Sequence, residues 1–325
     1  MRKVPPLSWS RSREFRVRPM PVSEVSAAGW TALGESLAEG DLTLLDLWGE
    51  KGGAAMALHD AAARRVAVAR VKARKGAIPS IGRLHAPAQR LERAAADLFG
   101  LTFSDSPDER PWLDHGRWEI AHPLGKATPR SGEQRYPFLP VEGESLHQVP
   151  VGPVHAGIIE PGHFRFTAQG ETVVRLEERL GYVHKGVERL MQGADLARGA
   201  ELAGRLSGDS TVACAWAFAQ AAEAALGVAP PERAFGLRGL MAELERLANH
   251  LGDFGAICND AAFPMMLAHA GALREEVLRS ARAAFGHRFM RDLIVPGGVA
   301  ADLDDAGEAT LRGLVARLRD RFPAL

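Results

Sequence analysis

The chain has 325 residues, 46% of them apolar, with forty basic side chains against forty acidic ones. That length favours two domains with proper cores. The balanced charge excludes a global field that would draw the protein to nucleic acid or to an anionic bilayer. Cys214 and Cys258 are the two cysteines, with no CxxC between them, so neither a disulfide framework nor a cysteine metal site can be assembled from them. The basic N-terminus "MRKVPPLSWSRSREFRVRP" lacks the apolar centre of a signal peptide, and a cytoplasmic location is expected.

Residues 41–73 contain three short segments, "DLTLLDLWGE", "GAAMALHD" and "RRVAVARVKA", broken by Gly52-Gly53 and by Asp60 with its alanines. This pattern predicts a strand meander. In "PAQRLERAAADLFG", Leu91, Ala94, Ala95 and Leu98 recur at helical spacing and Gly100 suits the position just past the helix end. Together these predict a small α+β domain over 1–125. The proline-rich stretch 126–150 reads as a linker or extended arm.

From 151 to 325 the pattern changes. "HFRFTAQGETVVRLEERLGY" predicts a small β-hairpin with Gln169-Gly170 at its turn, and the remainder is mainly α-helical. The run Thr211–Pro230 is the most hydrophobic in the chain, yet Gln220 and Glu223 near its middle fit a buried helix of a bundle better than a membrane span. After Pro230-Pro231, the residues Leu237, Leu240, Met241, Leu244, Leu247, Ala248 and Leu251 form one broad apolar face. Glu243, Arg246 and His250 make a stripe beside it, either a solvated edge with intrahelical ion pairs or a polar seam between helices. No Gly-rich dinucleotide fingerprint is present, so direct NAD binding is not expected.

"RLSGDSTVAC" holds two serines and an aspartate ahead of the apolar run. A serine nucleophile of the GDS type requires a preceding strand, and here "LARGAELAGRL" reads as helix. Ser207 or Asp209 is therefore expected to cap the adjoining helix.

Five segments occur in order: "GPVHAGIIEPGHFRF" at 152–166, "GYVHKGVERLM" at 181–191, "RLSGDS" at 205–210, "PPERA…LMAELERLANHL" at 230–251 and "RFMRDLIVPGGVAADL" at 288–303. The set resembles the large-subunit superfamily shared by membrane-bound nickel-iron hydrogenases of the formate hydrogenlyase type and the quinone-site subunit of respiratory complex I. "IPSIGRLHAPAQRLERAAADLFGLTFSDSPDERPWL" at 78–113 is similar to the complex I accessory subunit. The resemblance thus implies an α+β N-terminal domain followed by a mainly α-helical large-subunit-like domain.

In the hydrogenase branch the loop at "RLSGDS" carries a cysteine pair that holds nickel and iron. Ser207 and Ser210 stand there in this chain. Thiolates bind such soft ions, whereas serine hydroxyls stay protonated. Cys214 reads as a small apolar group rather than a substitute. The family's second cysteine pair lies near the C-terminus of a longer chain, and this sequence stops at "LRDRFPAL", as a fragment or a truncated protein would. A nickel-iron centre is not expected. In the complex I branch a Thr-His-Gly segment and a loop tyrosine hold the quinone; Pro161 and Gly208 occupy those places and lack the side-chain donors. His155 and His163 lie nearby, and quinone stays open as a ligand.

Glu160, in "EPGHFR", matches a proton-relaying glutamate. Burial beside Ile158 and Ile159 would raise its pKa and suit proton carriage. The alternative is an exposed turn acid before Pro161-Gly162. The resemblance implies a substrate cleft formed by Gly152–Arg165 with Arg205, Ser207, Gly208, Asp209 and Ser210. It also implies a polar path through His184, Glu188, Arg189, Glu243, Arg246, His250 and Asp260, with Arg274 and Glu275 as further members, groups that must pair if buried.

The function implied is that of a large-subunit-like component of a membrane-associated oxidoreductase complex, coupling electron transfer to proton movement without a nickel-iron site. The alternative is a catalytically inactive scaffold. Expected partners are an iron-sulfur small subunit and integral membrane subunits. The expected place is the inner face of the cytoplasmic membrane, reached through those partners.

Overall fold

A computed structural model describes residues 20–130, 137–155 and 159–325. The described residues divide into two compact units, one running to His155 and taking Glu160–His184 as well, the other taking Ile159 and Lys185–Leu325.

The first unit opens with β1 (Val22–Val25) and α1 (Ala27–Glu39), then the meander β2 (Thr43–Glu50), β3 (Gly53–Asp60) and β4 (Arg65–Lys72). The sheet order is β1-β4-β3-β2, with β1 parallel to β4 and the other pairings antiparallel. The meander matches the sequence pattern; β1 and α1 are additional to it. α1 begins where the Ser26 hydroxyl accepts from the Gly29 N–H at 3.1 Å, and its Trp30, Leu33 and Leu37 are buried. Trp30 is wholly buried and its indole N–H donates to the Pro79 carbonyl at 3.1 Å, which satisfies its one polar atom.

β5 (Ala77–Pro79), α2 (Gln89–Phe99) and β6 (Thr102–Ser104) come next, β5 and β6 pairing in parallel. Gly100 ends α2 in the left-handed region at φ 71°, as its place in the sequence predicts. The core joins Trp30, Leu33 and Leu37 to Leu47, Met56, Leu58, Ala69 and Val71 of the sheet and to Ile78, Ile81 and Ala95.

Of the expected linker 126–150, residues 131–136 lie outside the described residues, and the described parts contain strands. The short β7 (Ile120–Ala121) pairs with β8 (Thr128–Pro129), and β9 (Leu146–Val151) pairs with β10 (His163–Gln169), which pairs in turn with β11 (Thr172–Arg179). The two-residue turn is Gly170-Glu171, one position later than predicted, because Gln169 pairs directly with Thr172. The hairpin groups with the first unit although the sequence assigns it to a domain beginning at 151. Glu177 of β11 is buried and accepts from the Arg110 guanidinium and the Leu139 N–H, each at 3.0 Å.

The second unit is mainly helical: α3 (Val187–Met191), α4 (Leu196–Ala203), α5 (Thr211–Leu226), α6 (Glu232–Asp260), α7 (Pro264–Phe285) and α8 (Asp305–Arg321), with a two-residue hairpin of β12 (Ile294–Val295) and β13 (Gly298–Val299) before α8. Its core packs Val212 and Ala219 of α5 against Leu237, Met241, Leu244, Ala248 and Leu251 of α6, Leu273 and Val277 of α7, and Leu314 of α8. Those α6 residues belong to the apolar face expected from periodicity. Among the described residues, no helix is long and apolar enough to cross a membrane.

Candidate functional site

In the second unit the loop Arg205–Ser210 joins α4 to α5, so Ser210 comes after a helix and not a strand. Side chains from several directions hold it. The Arg205 guanidinium bonds both carboxylate oxygens of Asp292, one of them at 2.9 Å, and also the Glu201 carbonyl. The Lys185 ammonium donates to the carbonyls of Arg205 and Leu206 at 3.0 and 2.8 Å. Asn249 of α6 donates its amide to the Asp209 carbonyl at 2.8 Å, and the Thr211 hydroxyl donates to the Gly204 carbonyl at 2.8 Å.

The helix cap comes from elsewhere than expected. Neither Ser207 nor Asp209 accepts from the first N–H groups of α5; the Ser207 hydroxyl instead donates to the Asp209 carboxylate at 2.6 Å, and Ser210 stands at the cap position with no side-chain bond. Glu245 of α6 caps the helix, accepting from the Val212 N–H at 2.7 Å and the Ala213 N–H at 3.0 Å. A carboxylate at a helix N-terminus satisfies free donors and suits the local dipole. Glu245 is nevertheless only 9% exposed. Burial, and after it the charge of Asp209, push its carboxyl above the ordinary range despite those two bonds. Cys214, one turn into α5, is half-buried, and burial followed by the charges of Glu245 and Asp209 pushes its thiol up. Such a thiol is seldom ionised.

A second buried carboxylate meets its counter-ion. Glu223 of α5 and Arg238 of α6 pair through two bonds of 2.6 and 3.1 Å, and Arg238 is wholly buried. Arg238 also bonds the carbonyls of Val295 and Gly298, while Glu223 accepts from the Gly297 N–H at 2.7 Å. The pair therefore fixes the "PGG" turn of the 288–303 segment, and the Arg238 bonds hold the Glu223 carboxyl below the ordinary carboxylate range. Asp292, in the same segment, ties it to the loop.

In the first unit, Gly152 adopts φ +77° and a Cβ there would lie 1.9 Å from the Gly162 carbonyl, so the glycines of "GPVH" and "EPGH" bring two backbones together. His163 Nδ1 lies 3.1 Å from the Gly152 carbonyl, and His155 Nε2 lies 3.2 Å from the Glu160 carbonyl. Glu160 itself is exposed, as is Pro161. The burial expected for Glu160 calls on Ile158, which lies outside the described residues, and on Ile159, which is 58% exposed.

Most residues of the expected polar path are exposed in their own unit. His184 stacks on Trp118 with ring centroids 5.3 Å apart. Glu188 and Arg189 are exposed on α3, and Arg189 bonds Gln192. Glu243 and Arg246 pair at 3.3 Å on the solvent side of α6, with 63% and 59% of their side chains exposed, so that stripe is the solvated edge. His250 and Asp260 are exposed, and Glu275 pairs with Arg279 and Arg288. The charged residues that α6 buries are Arg238 and Glu245, which lie outside the polar stripe.

The donor set at the loop does not fit a nickel-iron centre. Ser207 and Ser210 present hydroxyls, which stay protonated and are poor donors to such soft ions, and Ser207 is committed to Asp209.

Residues 35–134 match the family described as the 30 Kd subunit of respiratory-chain NADH dehydrogenase. The chain is 31% identical over 242 residues to formate hydrogenlyase subunit 5 and 33% identical over 225 to hydrogenase-4 component G, both of Escherichia coli strain K12. These alignments take in 70% and 65% of this chain and 42% and 40% of those proteins. With an NADH-quinone oxidoreductase subunit of Phocaeicola vulgatus it shares 26% identity over 305 residues, 86% of this chain and 58% of that one. The chain thus spans about half or less of the length of these relatives. A chain of the membrane-bound sulfane sulfur reductase, an archaeal respiratory membrane complex, shares the fold at a TM-score of 0.53 and 22% identity over 57% of this chain and 50% of its own. Residues 35–134 thus carry a 30 Kd-type domain, and the homologues of the chain are subunits of membrane-bound hydrogenases and NADH-quinone oxidoreductases.

Proposed function

We propose that the chain serves as a large-subunit-like component of a membrane-associated oxidoreductase complex that couples electron transfer to proton movement, without a nickel-iron site of its own. The observation that carries this reading is the loop Arg205–Ser210. Arg205 holds it through the charge-assisted bonds to Asp292 and Glu245 caps the helix that follows it, while serine oxygen stands where the hydrogenase branch has metal-binding sulfur.

In this reading electrons arrive from an iron-sulfur cluster in a partner subunit, and integral membrane subunits carry the proton movement. The chain sits on the inner face of the cytoplasmic membrane through those partners. Quinone, which names several relatives, is the ligand class to test first. Glu160 is the candidate proton carrier at the EPGHFR turn. Isolation of the whole complex, followed by assays of quinone reduction and hydrogen turnover with wild-type chain and Glu160→Gln, tests the proposal. Turnover that falls in the variant supports it. No turnover with any donor overturns it in favour of a scaffold.

A further inference from the structure

We propose that Glu245 is the positioning residue of the Arg205–Ser210 loop, and that the proton on its carboxyl decides how firmly the start of α5 and the loop before it are held. Glu245 reaches from α6 across to α5 and accepts from two consecutive backbone N–H groups directly after the loop. Next to it, Asn249, one helical turn along α6, holds the Asp209 carbonyl. One helix face therefore grips both ends of the Asp209–Ala213 segment.

The charges around Glu245 make this grip sensitive to protons. The carboxyl is buried with no salt bridge among the described residues, unlike Glu223, which has Arg238. The loop faces it with the like charge of Asp209, and α5 faces it with the Cys214 thiol. From α7 the facing residues Val277, Leu278 and Ala281 are uncharged, and Arg288 beyond α7 edges the same small pocket while bonded to Glu275. The Lys185 ammonium is spent on carbonyls of Arg205 and Leu206, and on α6 itself Glu243 and Arg246 point to solvent and pair with each other.

The direction of the effect comes from linkage. In the closed form burial lifts the carboxyl above its ordinary range; with the loop opened, water returns it to that range. The closed form then binds the proton more tightly, so a rise in pH through the lifted value favours opening and proton uptake draws the loop in. That the loop faces substrate rests on the proposed function. That Glu245 grips it does not, and hydrogen exchange reads the loop without any turnover.

The experiment is hydrogen-deuterium exchange on the full chain, followed at the peptide covering 205–214 from pH 5 to pH 9 and corrected for intrinsic exchange. In wild type, protection of Val212 and Ala213 is expected to fall as pH rises, by up to about tenfold per pH unit for one linked proton. In Glu245→Gln, which carries no titrating group, protection is expected to be flat with pH. In Asp209→Asn, which removes the like charge but keeps an oxygen for Ser207, the midpoint is expected to move to lower pH. Exchange in α7 serves as the folding control, and Asp209→Asn decides the matter if Glu245→Gln does not fold. A flat wild-type profile, or a midpoint unmoved by Asp209→Asn, overturns the proposal.

Discussion

Arg238 of α6 lies wholly buried and closes a two-bond ion pair with Glu223 of α5, while its remaining donors reach the carbonyls of Val295 and Gly298. One guanidinium thus joins two helices to the turn between β12 and β13. A buried charge survives only where its donors are met, and here the geometry of a planar fork meets a carboxylate and two carbonyls at once.

Removing one partner should therefore cost far more than removing both. Glu223→Gln or Arg238→Met is expected to destabilise the second unit by about 3–5 kcal/mol, because each leaves an uncompensated buried charge or donor set. The double change Glu223→Leu with Arg238→Met should cost markedly less than the sum, and urea denaturation of the three variants measures the coupling. The acid limb adds a second reading. The Arg238 bonds hold the Glu223 carboxyl low, so its contribution is present above the ordinary carboxylate range and is lost as pH falls through the lowered value. Wild type should lose stability in acid relative to Glu223→Gln.

The Arg205–Asp292 pair is the opposite case, with 39% and 44% of the two side chains exposed. Water screens such a pair, and its contribution to global stability is about 0–1 kcal/mol. Its task is to orient the loop. Arg205→Ala is expected to leave the denaturation midpoint nearly in place and to raise hydrogen exchange in 205–210. Arg205→Lys should not restore the loop, since an ammonium cannot take both carboxylate oxygens in the same plane.

The meander, α2 and the apolar face of α6 were legible because in each the period of apolar residues matches the element. β9 was hidden because Pro150 and its neighbours resemble a linker. β9 is an edge strand, and Pro150 opposite Arg165 is tolerated there. α1 carries a signal of its own: Ser26 precedes Trp30, Leu33 and Leu37 at helical spacing. At the candidate site, the ordered motifs pointed to the Arg205–Ser210 loop but not to the side chains that hold it. Arg238 and Glu245 stand seven residues apart on the same face as Leu237, Met241, Leu244 and Ala248, and a charge on an apolar stripe is a signal of a buried partner. Which partner is beyond periodicity, because Glu223 and the Val212 N–H come from another helix.

Ser210 should be inert toward acylating reagents. It sits between two helices, and among the described residues its hydroxyl makes no hydrogen bond to a histidine that could serve as base. Treatment of the chain with an activated phosphonate is expected to leave the 205–214 peptide unmodified by mass spectrometry. Labelling that disappears in Ser210→Ala would establish a hydrolase site instead.

In the first unit Glu92 sets up a sharper test of buried carboxylate chemistry. Its side chain is 1% exposed and accepts from the Ser80 hydroxyl at 2.7 Å, the Ile81 N–H at 2.6 Å and the Gly82 N–H at 3.1 Å. It thereby pins the turn between β5 and α2 on which Ile81 enters the core. Glu92→Gln offers one oxygen where two are used and brings an amide N–H against a donor. A cost of about 1–3 kcal/mol is expected, and Glu92→Ala should cost more because it leaves several buried donors unmet. Burial lifts the Glu92 carboxyl above the ordinary range in spite of its three bonds. The folded form then holds its proton more tightly than the unfolded one, so the contribution is fully present at acid pH and is lost as pH rises through the lifted value. Urea denaturation across that window should show wild type losing ground to Glu92→Gln as pH rises, and a gap that widens instead would mean that the three hydrogen bonds outweigh burial.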